Sequence, residues 1–153
     1  MTNEAATAPL AQALFVDDSA AEIRLVTELL NRARVQFDGH WVSSGEDALS
    51  FLRNQSGFEK APRPDIIFLD LNLPRMSGTQ VLKTIQADQA LSSIPVVIVS
   101  GTDFEDDVVA ARDNGAAHYL VKPLDQRKLA DTVAIIDTLK LEKRDADWHL
   151  VRA

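Results

Sequence analysis

With 153 residues, 46% hydrophobic and 25% charged, the chain can build one domain with a real core and is too short for two of ordinary size. It has no cysteine, which excludes a disulfide framework or a thiolate zinc site. No apolar run approaches the ~20 residues that span a bilayer, and no basic-then-apolar signal segment opens the chain. With no such run, no membrane contact is expected; a net charge of −7 repels phosphate backbones, so direct nucleic-acid binding is not expected either, while binding of a divalent cation is compatible with it.

Residues 1–11 are small and polar with one proline and predict a flexible lead-in. Leu14-Phe15-Val16 predicts a short strand ending in Asp17-Asp18. Ser19 with Glu22 three positions on is a capping-box pattern, and Ile23, Val26 and Leu30 continue it as a helix with Leu25 and Leu29 widening the stripe. Val35 to Val42 predicts a second strand at a sheet edge, because Phe37, Gly39 and Trp41 alternate with polar residues. Ser44 caps a second helix to about Arg53, and residues 54–64 form a long polar surface loop.

Ile66 to Leu69 is a four-residue apolar run with prolines close on both sides, Pro64 and Pro74, and reads as a buried strand ending at Asp70. Ser77 and Gln80 give a second capping box, with Val81, Leu82 and Ile85 facing inward behind it. Pro95 to Val99 predicts a fourth strand, ending in Ser100-Gly101-Thr102. A weaker helix from about Phe104 ends at Asn114-Gly115, a good C-cap pair. Tyr119-Leu120-Val121 is a fifth strand running into Lys122-Pro123, and Asp125 caps a fifth helix with Leu129, Val133 and Ile136 inward.

Five βα units in series imply an α/β, doubly wound (βα)5 flavodoxin-like fold with a parallel sheet of order 2-1-3-4-5. Its switch point lies between the first and third strands, which brings Asp17 and Asp18 beside Asp70. Three carboxylates at neighbouring strand ends repel one another unless a cation joins them, and magnesium, hard and oxygen-seeking, is the apt one. Ser100 adds a hydroxyl, Gly101 an approachable backbone, and Lys122 an ammonium that can pair with a phosphoryl oxygen. Each feature alone reads as an ordinary cap, turn or loop residue. All of them on one sheet edge form a joint signal for phosphoryl transfer.

Over residues 12–141 the chain resembles the receiver domains of two-component response regulators. The resemblance rests on Phe15-Val16-Asp17-Asp18-Ser19, on Asp65 to Asp70 with Leu73-Pro74 and Gly78, on Val99 to Thr102, and on Tyr119 to Pro123. It implies that Asp70 accepts a phosphoryl group from a sensor histidine kinase, with Asp18, Asp70 and the Asn72 carbonyl ligating Mg2+ and Asp17 acting through water. It further implies that Lys122, the Ser100 hydroxyl and the Gly101 amide hold phosphoryl oxygens, and that the Lys122–Pro123 bond is cis. Ser100 and Tyr119 take the positions of the family's switch pair, and Asn72 and Thr102 those that tune the lifetime of the phosphorylated state.

The long 54–64 loop and the continuation beyond Leu141 look like single-domain regulators paired with bacterial phytochromes. Residues 142–153 are expected to extend the fifth helix into a tail whose Trp148, Leu150 and Val151 contact a second copy, giving a homodimer. A cytoplasmic chain that catalyses only its own phosphorylation and dephosphorylation is the expectation. The alternatives are a pseudo-receiver that docks without taking phosphate, and an aspartate-nucleophile hydrolase of the haloacid dehalogenase type. The second needs an acid two positions after Asp70, where this chain has Asn72. His40, His118 and His149 are too scattered to suggest a metal site.

Overall fold

The computed structural model describes residues 8–153. Its first elements are β1 (Gln12–Val16), α1 (Ala20–Arg32), β2 (Val35–Gln36), β3 (Asp38–Val42), α2 (Gly45–Leu52), β4 (Ile66–Asp70) and α3 (Gly78–Ala87). There follow β5 (Val96–Ser100), α4 (Glu105–Asp113), β6 (His118–Val121), α5 (Gln126–Ala134), β7 (Leu139–Arg144) and β8 (Asp147–Arg152). The main sheet is parallel and five-stranded in the order β3-β1-β4-β5-β6, which is the expected 2-1-3-4-5 arrangement of its strands.

Every residue of β4 and β5 is buried, as strands covered on both faces require. The period-2 alternation of side chains then sorts the apolar residues into two cores. Leu14, Val16, Ile67, Leu69, Val96 and Ile98 point to the side covered by α2 and α3. Ala13, Ile66, Phe68, Val97 and Val99 point to the other, where they meet Leu30 of α1 and Leu129 and Val133 of α5. The helix starts follow the predicted caps. Ser44, Ser77 and Asp125 each accept a hydrogen bond from the backbone amide three residues on, and the Ser77–Gln80 box is reciprocal.

Four expectations need correction. The predicted strand 35–42 is two strands, because the chain changes sheets at Phe37, whose ring turns inward to Phe15 at 5.9 Å between centroids. The fifth helix does not run on. It stops at Ala134, and residues 139–152 form the hairpin β7–β8, which joins β2 in a second sheet of order β2-β8-β7. Asp145, at φ 56°, takes the left-handed conformation that the tight turn needs and that aspartate tolerates.

The hairpin also changes the fate of the residues expected to meet a second copy. Leu150 and Val151 are 1% and 0% exposed, buried within their own chain, and Leu150 packs with Leu30, Val35 and Leu129. Only Trp148 keeps a partly open surface. The lead-in is likewise fastened at its end: the Ala11 amide donates to the Leu150 carbonyl at 2.8 Å, and Leu10 bridges to Val151. The remainder of the predicted flexible lead-in, residues 1–7, lies outside the described residues. The 54–64 loop is on the surface as expected, pinned by Asn54, whose side-chain amide donates to the Ala61 carbonyl at 2.7 Å.

Candidate functional site

Strand register builds the site. Val16 pairs with Leu69, so Asp17 and Asp70 leave adjacent parallel strands side by side at the carboxyl edge. Asp18 follows in the same loop, and one carboxylate oxygen from each of Asp17, Asp18 and Asp70 lies within 4.8 Å of the others. Asp17 and Asp70 are buried while Asp18 faces solvent, an arrangement open on one side to an ion and its waters. The donor set is all oxygen and carries three negative charges, which fits a hard divalent cation.

Local hydrogen bonds hold these acids in place. The Ser19 amide donates to Asp17 Oδ1 at 2.8 Å, and the Asn72 amide to Asp70 Oδ1 at 3.2 Å. The Asp17 carbonyl accepts from Trp41 Nε1 at 2.7 Å, which anchors the acidic loop to the edge strand β3. Gly78 begins α3 against the end of β4. A Cβ there would stand 2.3 Å from the Asp70 carbonyl oxygen and 2.8 Å from Leu71 Cα, so only glycine lets the helix close on the strand that carries Asp70.

Lys122 arrives from the end of β6, where its amide donates to the Ser100 carbonyl at 2.8 Å and the Lys122–Pro123 bond is cis. Its Nζ lies 3.2 Å from Asp17 Oδ2 and 3.3 Å from Asp70 Oδ1, and it also donates to Glu22 of α1. Burial works to lower the Lys122 pKa, but the bond to Glu22 and the charges of Asp70 and Asp17 outweigh it, so the ammonium is raised above its usual value. Burial pushes Asp17 up to about 6, with a hydrogen bond to Glu22 adding to it. Burial also works to raise Glu22, yet its bonds to Lys122 and Asp17 prevail and hold it below the ordinary glutamate range.

The remaining predicted residues fall at the next strand ends. Ser100, 1% exposed, closes β5, and its Oγ accepts from the Thr102 amide at 3.3 Å. Gly101 is open, with nothing within 4 Å of where a Cβ would sit. The Tyr119 hydroxyl donates to the Thr102 carbonyl at 2.7 Å, so Ser100 and Tyr119 are tied to the backbone of the same residue.

A model of the response regulator receiver domain matches residues 13–134. The chain belongs to that family. This receiver is 37% identical over 129 residues to response regulator Rcp1 of Synechocystis sp., covering 84% of this chain and 88% of that protein. Among solved structures it is similar to the Mn2+-bound form of Rcp1, with a TM-score of 0.70, 33% identity and coverage of 87% of this chain and 99% of the other. It is also similar to the phosphorylated cyanobacterial phytochrome response regulator RcpA, with a TM-score of 0.71, 34% identity and coverage of 82% and 91%. Receiver domains take a phosphoryl group from histidine kinases, and among the described residues no helix is long and apolar enough to cross a membrane.

Sequence reasoning missed two members of this receiver's site, Glu22 and Trp41. The predicted capping box at Ser19 forms only by half: Ser19 Oγ accepts from the Glu22 amide, but the Ser19 amide donates to Asp17, which leaves the Glu22 carboxylate to reach Lys122. Its position four residues after Asp18, one helical turn further along, was the available signal. Trp41 carried no such signal, because its role depends on β3 lying beside β1.

Proposed function

We propose that this chain is a stand-alone, cytoplasmic response regulator whose Asp70 accepts a phosphoryl group from a sensor histidine kinase in a Mg2+-dependent reaction. The observation that carries this reading is the Lys122 ammonium held 3.3 Å from Asp70 and 3.2 Å from Asp17, beside three gathered carboxylates. An Asp70 carboxylate oxygen attacks the phosphorus of a phosphohistidine; the new O–P bond forms as the P–N bond breaks, and the imidazole leaves with the electron pair of that bond. Charge on the transferring group spreads over its three equatorial oxygens. Lys122, the Ser100 hydroxyl and the Gly101 amide are the groups on this chain that meet them.

Magnesium, held by Asp18, Asp70 and the Asn72 carbonyl with Asp17 acting through water, would supply positive charge to the entering phosphoryl oxygens. The chain then catalyses nothing beyond its own phosphorylation and dephosphorylation, with Asn72 and Thr102 setting the lifetime. As Ser100 engages the phosphoryl group, its bond to the Thr102 amide is given up, and Tyr119, tied to the same residue, follows. That shift alters the surface of α4, β6 and α5. Likeness to the phytochrome response regulator RcpA supports a bacterial phytochrome as the kinase. A homodimer is part of the same reading; Trp148 is its remaining candidate contact, and solution mass from light scattering decides it.

The test is incubation with acetyl phosphate and Mg2+ followed by intact mass. One added phosphoryl group on the wild type and none on Asp70→Asn is the expected result. An unmodified wild type would point to a pseudo-receiver, and steady phosphate release from varied esters to a hydrolase.

A further inference from the structure

The Lys122 ammonium has three protons and faces three carboxylates, Asp17, Asp70 and Glu22. Its hydrogen bond is to Glu22, while Asp17 and Asp70 stand as ion-pair contacts at 3.2 and 3.3 Å, so a phosphoryl oxygen that arrives must compete with Glu22 for the ammonium. Asp17 and Asp70 are occupied by the chemistry already described. Glu22 is neither a member of the gathered carboxylates nor a reacting group, yet it reaches across from α1 to a residue 100 positions away. Its side chain is 44% exposed, so it can leave the contact for water at little cost.

Packing does not explain why Glu22 sits there. Against α1 lies a cavity of about 190 Å3, lined by Phe68 and Leu124 together with Asp17, Asp70, Glu22 and Lys122. In α1 only Leu30, near the far end, is buried. At the near end Glu22 and Lys122 both line the cavity and are bonded to each other.

We propose that Glu22 is a positioning residue for Lys122: it holds the ammonium in the unphosphorylated chain and competes with the phosphoryl group for it. Phosphorylation then requires exchange of a Glu22 oxygen for a phosphoryl oxygen at Nζ. This rests on the phosphoacceptor reading of Asp70. Loss of the Glu22 contact favours the phosphorylated state, because Lys122 no longer gives up a partner to reach it.

Two variants separate holding Lys122 from simple repulsion of an anionic donor. Glu22→Gln keeps the reach and removes the charge; Glu22→Asp keeps the charge and is one methylene too short. Phosphorylation by acetyl phosphate and decay of the adduct are followed by intact mass, and the Lys122 ammonium by its 15N–1H NMR correlation. Both variants are expected to raise the initial rate and lengthen the lifetime by about two- to fivefold, the scale of one partly exposed ion pair. The ammonium signal should be sharp in the wild type, and shifted or broadened in both variants before any donor is added. A rate unchanged in Glu22→Gln, a wild-type rate in Glu22→Asp, or an ammonium signal indifferent to both substitutions overturns the inference. An unmodified wild type overturns the phosphoacceptor reading itself, and the inference with it.

Discussion

The carboxyl edge of the main sheet and the hairpin β7–β8 are specified in opposite ways. At the edge, a few polar residues stand where apolar strands stop: Asp17 after Val16, Asp70 after Leu69, Ser100 after Val99, Lys122 after Val121. A carboxylate or ammonium is expensive inside a strand, so each must lie at an end, and parallel topology puts all the ends together. The hairpin has no such markers. Its place is set by where Leu139 and Leu150 are buried, in one core with Leu30 of α1, Val35 of β2 and Leu129 and Val133 of α5, the first two of them far away in sequence. Discrete chemistry at element boundaries is readable from a sequence, whereas a docking surface built from aliphatic side chains is not.

The sharpest way to break this contrast is to treat the hairpin as the detachable tail it was expected to be. Leu150→Ala removes a side chain that is 1% exposed and faces the second core. If the hairpin belongs to the domain, urea unfolding should show a loss of about 2–5 kcal/mol, the cost of a core leucine truncation. A loss near zero would mean that the hairpin packs only loosely and that the five-stranded body is independent of it.

Gly78→Ala tests the other side of the comparison, where site and fold meet. The added methyl would stand 2.3 Å from the Asp70 carbonyl oxygen, a backbone atom that cannot rotate away. Destabilisation of about 1–3 kcal/mol is expected, as for overpacking elsewhere, together with a slower phosphorylation rate because the end of β4 must shift. Full stability with full rate would show that α3 can move away from Asp70 freely enough to admit a side chain.

These cases also show how far the amino-acid pattern could be read. The five βα units, their caps and the site residues follow from short apolar runs closed by Ser, Asp, Asn-Gly and Pro, all local signals. The hairpin is not legible in this way because Lys140, Glu142, Lys143 and Arg144 are good helix formers following a helix, and they mask the alternation of Leu139 and Leu141 with charge. Only pairing with β8, whose Leu150 aligns with Leu141, decides for strand. The break at Phe37 was hidden for the same reason, since β2 is a strand only because β8 lies beside it. Non-local partners account for each miss.

Charge at the edge gives a smaller, pH-dependent effect. Asp17 is raised to about 6, so the fold favours its protonated form. That contribution is full below the ordinary aspartate pKa and is lost as pH rises through about 6. In chelator, stability should therefore rise by about 1 kcal/mol between pH 7 and pH 5, read as a higher melting temperature. Glu22 is lowered, so its own contribution is lost only as pH falls further, below the ordinary glutamate range. Millimolar Mg2+ should stabilise the chain at pH 7 and lose that effect toward pH 5, as Asp17 takes a proton. Identical melting at both values would place Asp17 in a wetter setting than its burial indicates.

The smallest effect is expected where the hairpin is joined to the main sheet by charge. Arg152 Nε lies 2.7 Å from Asp65 Oδ1, and Asp65 Oδ2 accepts from the Gln12 amide at 2.8 Å. Arg152 is 61% exposed in its side chain, whereas Asp65 is 15% exposed. Removing the arginine leaves Asp65 with its backbone partner and with access to water, so Arg152→Ala should cost under about 1 kcal/mol and less at high salt. Asp65→Ala strips both the ion pair and the bond that fixes the start of β1, so it should cost more than Arg152→Ala at every salt concentration. A cost for Arg152→Ala as large as that of Leu150→Ala would make the ion pair, no less than the buried leucine, a main tie between the hairpin and the sheet. That outcome would move the hairpin into the class of features that charged residues make readable, and the contrast between the two regions would narrow.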